Sequence, residues 1–445
     1  MKLPYAKITT CFALLSLLLF PTPDLVAQHG GNGPGSGSGP GPGHMNWGNR
    51  HDGNFYGVEN LAYYGDWNSN RVFIINVDDM SLLKIVEDTG DGPYGVDQQD
   101  GSTAYALTRN TESVTVIENY YIENIGRIFL DHKPRSTNFN PHTGLSLVSG
   151  ADKAMSTVIH VNSDRIKSVY GVNKLVYPDD FGGSLATGHP LWISDDRFLM
   201  LDRADRQIEL WSRTLGLLSA IDTPTSVHHI FKSPLDFHHK TFYAVVEGNQ
   251  DELLSPSILR FRIHHGRFMV ITGEAVLSDF SPTTLNPADM GSHHADFHPN
   301  GVHIYVGSAE GHVFVVNKNT MDVVAMIDTG LGSGHTTFVP LHNRAFVTNH
   351  NDMYMTVIDT TDHSWLTEIK VAETSSRDHK SQAHTSGVSA DQNYFYSAAS
   401  HDGVFFRIEV NSLQIKGTLD LEELTGDDVN ILMGSFIWDG EGQGM

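Results

Sequence analysis

The sequence predicts an all-β fold, a single β-propeller of eight four-stranded blades, or seven if one repeat is irregular, closed into a ring by a C-terminal strand. Three observations carry that reading. From about residue 54 onward, short β-branched and aromatic runs alternate with Gly, Asn and Asp turns, with no long segment of helical period among them. Eight pairs of such runs align along the chain, each pair able to form the two middle strands of a blade. Five repeats also share a common start, a histidine followed by a short apolar run and a turn, at a spacing of roughly 40 to 50 residues.

In chain order, residues 1–27 have the pattern of an export signal: Lys2 and Lys7 precede an apolar core over 8–20, and Ala27 offers a small residue for cleavage. The core is shorter than the roughly 20 residues needed to cross a bilayer. Removal of the signal would leave no membrane span and place the protein in the periplasm or outside the cell. Leu25 fits the cleavage pattern poorly, so retention as an anchor stays open. Residues 28–53 contain a Gly/Pro-rich stretch, 30–43, that lacks apolar side chains to offset its ordering entropy and reads as a flexible linker. The propeller is expected over 54–445.

The paired runs are 61–67 with 71–77, 103–109 with 113–118, 145–150 with 155–161, 197–202 with 207–211, 241–247 with 257–263, 302–308 with 312–317, 344–349 with 354–359, and 393–400 with 404–409. The first unit lacks an inner strand. The strand-like run 430–438 would supply it, closing the ring and leaving no open edge at the seam.

Composition narrows the function. Cys11, the single cysteine, lies in the signal core, so no disulfide, thiolate ligand or c-type haem attachment is expected in the exported part. With 52 acidic and 29 basic residues the formal charge is −23, which disfavours nucleic acid and anionic lipid as partners. No Gly-x-Ser-x-Gly elbow and no phosphate-binding Gly-rich loop occurs.

Histidines carry the remaining signal. In a propeller blade, the loop leading into the inner strand and the loop joining the second and third strands lie on one face of the disc. His189, His228, His229, His293, His294, His335 and His384 fall at inner-strand starts, while His350 and His401 fall in second-to-third loops, together with Asp202, Asp205 and Glu310. All are expected at one mouth of the channel. His142, His238, His239, His298 and His342 are expected as surface residues of the opposite face, and His264 and His265 as solvated residues beside an outer strand. Neighbours in a regular strand point to opposite sides, so one member of each His-His pair should face the channel. Aligning Phe297 with Phe338 puts His294 level with His335 and selects His294 and His229. The expected metal ligands are therefore His189, His229, His294, His335 and His384, with His350 and His401 at the mouth. Clustered neutral imidazoles suit copper and zinc. Asp296, Asp352, Asp402 and Arg135 are candidates to orient the rings, and Met353, Met355 and Met433 read as packing residues.

Arg344-Ala345-Phe346-Val347-Thr348-Asn349, followed by Thr356-Val357-Ile358-Asp359-Thr360, resembles the YVTN-type repeat of exported β-propellers. The wider resemblance is to the group containing the haem d1 domain of cytochrome cd1 nitrite reductase and the copper propeller of nitrous oxide reductase. It implies the architecture. Without a cytochrome c motif or a cysteine-bearing copper domain, neither complete enzyme is implied. Three functions follow as expectations: an exported propeller that captures or delivers copper or zinc, with the metal ion and a periplasmic protein as partners; a copper- or haem-dependent periplasmic oxidoreductase acting on a small molecule; or an interaction scaffold without cofactor. Whether the chain is an enzyme stays open.

Overall fold

A computed structural model describes residues 60–175, 186–233, 236, 240–249, 252–277, 291–376 and 379–438. The signal and linker expected over 1–53 lie outside the described residues. Eight four-stranded antiparallel sheets form the blades of one propeller. Among the described residues the sole α-helix is the five-residue Leu421–Thr425, and no helix is long and apolar enough to cross a membrane.

Blade 1 contains Leu61–Asp66, Arg71–Asn76 and Ser81–Val86, with Ile431–Ile437 as its inner strand. Blades 2 to 8 open on the inner strands Pro93–Gln98, Pro134–Asn140, Leu191–Trp192, Val227–Lys232, Ser292–Phe297, Ser333–Val339 and Gly387–Val388. All eight sequence-derived pairs are the two middle strands of a blade. The closing strand pairs antiparallel with the first, Ala62 opposite Phe436 and Tyr64 opposite Gly434. Asp66 reinforces this seam by accepting from Asn430 N at 3.0 Å, while Arg71 bridges Asp66 and Asp427 at 3.1 and 2.8 Å.

Two local devices recur. Tight hairpins lead into most outer strands, with Met80, Ile122, Met321 and Leu413 at positive φ just before the strand; the first three are also buried, so these turns close on apolar plugs. Between third and outer strands every blade carries a bulge, as at Ile74/Ile75 and Arg407/Ile408, which strengthens the twist a blade needs. The core lies between blades rather than in one centre. Leu199, Leu201, Ile208 and Leu210 of blade 4, for example, pack against Ile230, Phe242, Leu259 and Phe261 of blade 5. Met355 is fully buried and Met433 packs against an apolar cluster, as their place in strands predicts.

Side chains cross-link the inner strands along the channel. Asp97 of blade 2 accepts from the Thr137 backbone N–H and hydroxyl of blade 3 at 2.9 and 3.0 Å, and Asp296 of blade 6 accepts from Thr336 N of blade 7 at 3.2 Å. Burial raises the Asp97 carboxyl to about 6 and that of Asp296 to about 7. Asp296 therefore ties two blades together through the Thr336 backbone.

Candidate metal centre

One backbone hydrogen bond defines the mouth. The residue just past each second strand donates its N–H to a carbonyl at the start of the same blade's inner segment: Trp67 to Asn430, Arg109 to Gly92, Ala151 to Lys133, Arg203 to Ala186, Glu247 to Ser226, Ala309 to Gly291, His350 to Gly332 and Ser400 to Ser381. Eight equivalent donors make one ring of positions. Counting forward from the eight acceptors gives two more. Two residues on stand Leu432, Tyr94, Arg135, Gly188, His228, His293, Gly334 and Ala383; three residues on stand Met433, Gly95, Ser136, His189, His229, His294, His335 and His384.

Five histidines thus share one register, in the blades where the sequence aligned them. The neighbouring register adds His228 and His293. Strand alternation would turn these two away from His229 and His294, but the inner strands are bulged there, with register shifts between Val227 and His229 and between Ser292 and Ala295. A bulge re-aims side chains, so both members of each pair reach the mouth.

Two triads result. His189, His228 and His294 form one, and His293, His350 and His384 the other, each offering three ring nitrogens within 4.8 Å of one another. Ligand nitrogens on one tetrahedral zinc ion lie about 3.4 Å apart, so modest rotation of the side chains would close either set on an ion. The triads abut: ring centroids are 4.3 Å apart for His228 and His293 and 4.7 Å for His293 and His294. His335 packs on His294 at 3.7 Å, and His229 lies 5.0 Å from His294. His401 follows Ser400, the true equivalent of His350, by one residue; its ring stacks on His379 at 3.8 Å and enters neither triad.

Outer contacts fix several rings. His228 Nδ1 lies 2.9 Å from Glu247 Oε1, and the other Glu247 oxygen is held by Arg203. Gln382 O lies 3.1 Å from His350 Nδ1, leaving Nε2 buried without a hydrogen-bond partner; His229, His293 and His384 each leave a buried Nδ1 in the same state. Buried polar atoms are ordinarily satisfied, so a cluster of unsatisfied imidazole nitrogens fits a group that takes up lone pairs. Burial, then the charge of Arg135, lowers His229 to about 4; burial, then His229, lowers His335 to about 3. Burial also holds His189, His228, His293, His294, His350 and His384 well below the ordinary imidazole range, with neighbouring histidines, Arg135, Arg203 and Lys380 adding to the effect. These rings are neutral at pH 7, the form that binds metal.

Of the residues expected to orient the rings, Arg135 reaches one, its Nη2 lying 3.3 Å from His228 Nε2. Asp352 accepts from Tyr354 N and Asp402 from Glu373 N, each within the loops. Glu247 escaped sequence reading, although its place one residue past a second strand is a usable signal. Away from the mouth, His142, His264 and His265 are exposed, and His238 and His239 lie outside the described residues. His298, expected at the surface, is buried instead: it accepts from Asn300 N at 2.9 Å and contacts Thr360 O at 3.1 Å, pinning blade 6 to blade 7.

Fold and site together define an eight-bladed propeller with a histidine-lined mouth able to hold metal. Among solved structures it is similar to a dihydro-heme d1 dehydrogenase, NirN, in complex with DHE, at 12% identity over 84% of this chain and 74% of that one, with a TM-score of 0.60. AztD from Citrobacter koseri is similar at 12% identity over 87% of this chain and all of that one, with a TM-score of 0.59. Such identities establish shared architecture alone. No family model and no curated protein matches the chain.

Proposed function

We propose that this protein is an exported metal-binding propeller that captures copper or zinc and hands it to, or takes it from, a periplasmic partner protein. The observation behind this reading is the pair of adjoining triads, the second of which carries a buried ring nitrogen without a hydrogen-bond partner on each of His293, His350 and His384. His189, His228 and His294 would hold one ion and His293, His350 and His384 a second. His229 and His335, packed beside them, provide alternative ligands along which an ion could pass, and His401 with His379 lies farther out. Neutral imidazoles bind either metal without a covalent step, and nearby cations weaken the hold enough for transfer. Export rests on the pattern over residues 1–27, followed by the 28–53 tether, and kinship with the YVTN-type propellers rests on the 344–360 repeat.

A second reading, a copper- or haem-dependent oxidoreductase, draws on the 4.3 Å approach of His228 and His293, which would set two ions close enough to share one small molecule. Elemental analysis separates binding from its absence. Protein exported in copper- and zinc-rich medium should retain up to two equivalents of metal per chain, and His228→Ala and His350→Ala should each lose one. Retention of neither metal by the wild type would refute both readings; a spectrum that changes on adding a small inorganic substrate would favour the second.

A further inference from the structure

The mouth has two chemically distinct sides. Blades 4 to 8 supply imidazoles, whereas in the register of His228 and His293, blades 2 and 3 supply Tyr94 and Arg135. Arg109, in the register of His350, stands beside them. Its guanidinium carbon lies 3.3 Å from the centre of the Tyr94 ring, its Nε donates to Pro134 O at 3.2 Å, and its Nη2 is buried without a hydrogen-bond partner. Arg135, the next residue after Pro134, is 3% exposed; it donates to Thr187 O and faces His228. Two buried guanidinium groups therefore belong to this side of the mouth, and the charges of Arg203 and Arg109 both act against that of Arg135. Among the described residues neither Arg109 nor Arg135 forms an ion pair with a carboxylate, and Glu247, whose field reaches Arg135, is engaged by Arg203 and His228. Neutral imidazoles add no counter-charge. A buried cation without an anion is costly, and two more so.

We propose that Arg109 and Arg135 form an anion subsite for a small carboxylate or oxyanion, next to the histidine triads. The planar guanidinium fork matches two oxygens of such an anion. Arg135 borders the first triad through His228, and Tyr94, beneath Arg109, lies 6.3 Å from the His384 ring of the second. An anion here would neutralise the arginines in the metal-free protein and offset the charge of any ion held by uncharged ligands. Metal and anion would then strengthen each other's binding.

Titration calorimetry on the metal-stripped full-length protein, with sodium formate and sodium phosphate as probes, tests this apart from the metal reading. One probe should bind saturably with one-to-one stoichiometry, formate indicating a carboxylate site and phosphate an oxyanion site. Arg109→Gln and Arg135→Gln should each weaken it about tenfold or more. If Arg135→Gln does not fold, as judged by circular dichroism, Arg109→Gln decides, because that residue is less enclosed. No saturable binding of either probe to the wild type, or binding undiminished in the folded variants, would overturn the proposal. Metal content measured on the same wild-type preparation reports separately on the metal reading.

Discussion

Replacing Glu247 by Gln keeps the shape of the residue and an oxygen near His228 Nδ1, now 2.9 Å away, but removes the carboxylate charge. The charged partner does two things: it keeps the proton on Nδ1, so that the lone pair of Nε2, which Arg135 faces at 3.3 Å, is the one a metal ion would compete for, and it raises the basicity of that nitrogen. Loss of such an outer partner typically weakens metal affinity 10- to 100-fold. Because the Gln oxygen can still accept the bond, about tenfold is expected here, or about 1.4 kcal/mol. The other triad has its own anchor, the Gln382 carbonyl on His350, and should be unaffected. Competition with a chromogenic chelator should therefore show one site weakened about tenfold and the other unchanged. Arg203 also loses its charged partner, so Glu247→Gln should lower the melting temperature by a few degrees. Equal weakening of both sites, or of neither, would refute the assignment of Glu247 to one triad.

Three other outcomes follow from the geometry. A Cβ at Gly334 would overlap His350 Nε2, so Gly334→Ala should abolish metal binding at the second triad while leaving the first, as read by metal stoichiometry. Lowering the pH should destabilise the metal-free protein: the unfolded chain takes up protons near the ordinary histidine value of about 6.5, whereas folded His229 and His335 resist until about 4 and about 3, so stability falls through that window by on the order of 1 kcal/mol per pH unit for each ring, visible in denaturant midpoints. Removing residues 429–445 takes away the inner strand of blade 1 with buried Ile431, Phe436 and Trp438, each worth about 1.5–3 kcal/mol of burial, and should yield aggregated protein on gel filtration, since the sum rivals a typical stability of about 5–15 kcal/mol.

Strands were legible because their signal is local. Alternation and turn residues mark the pairs, and the unpaired run at 430–438 had one place to go once the first unit lacked an inner strand. The register of His189, His229, His294, His335 and His384 was legible too, since Phe297 and Phe338 anchor the alignment. Membership of the triads was not, because it depends on two bulges that no residue type announces. Val227-His228-His229 and Ser292-His293-His294 contain neither Gly nor Pro, and a regular strand would have hidden one imidazole of each pair. His401 shows the opposite difficulty: Asn349-His350 and Ser400-His401 look alike in sequence, yet the backbone bond from Ser400 N to Ser381 O puts Ser400, not His401, level with His350.

That repeated backbone bond explains how a propeller can assemble such a site at all. Each blade repeats the same backbone bond at its mouth, so each presents the same three side-chain positions to a shared space, and the sequence varies only what fills them. Imidazoles occupy at least one of them in each of blades 4 to 8, beside Arg203 in blade 4 and Glu247 in blade 5; arginine and tyrosine stand in blades 2 and 3, and small or apolar residues fill others, as at Ala151, Gly95 and Met433. Rigidity comes largely from the apolar packing between blades and from cross-links such as Asp296 to Thr336, away from the histidine rings of the mouth. A cluster of eight neutral imidazoles is expensive to keep from water, and strand packing alone would favour Val or Thr at those positions. The same burial that depresses their proton affinity keeps these rings neutral, the form in which an imidazole can offer a lone pair to a ligand.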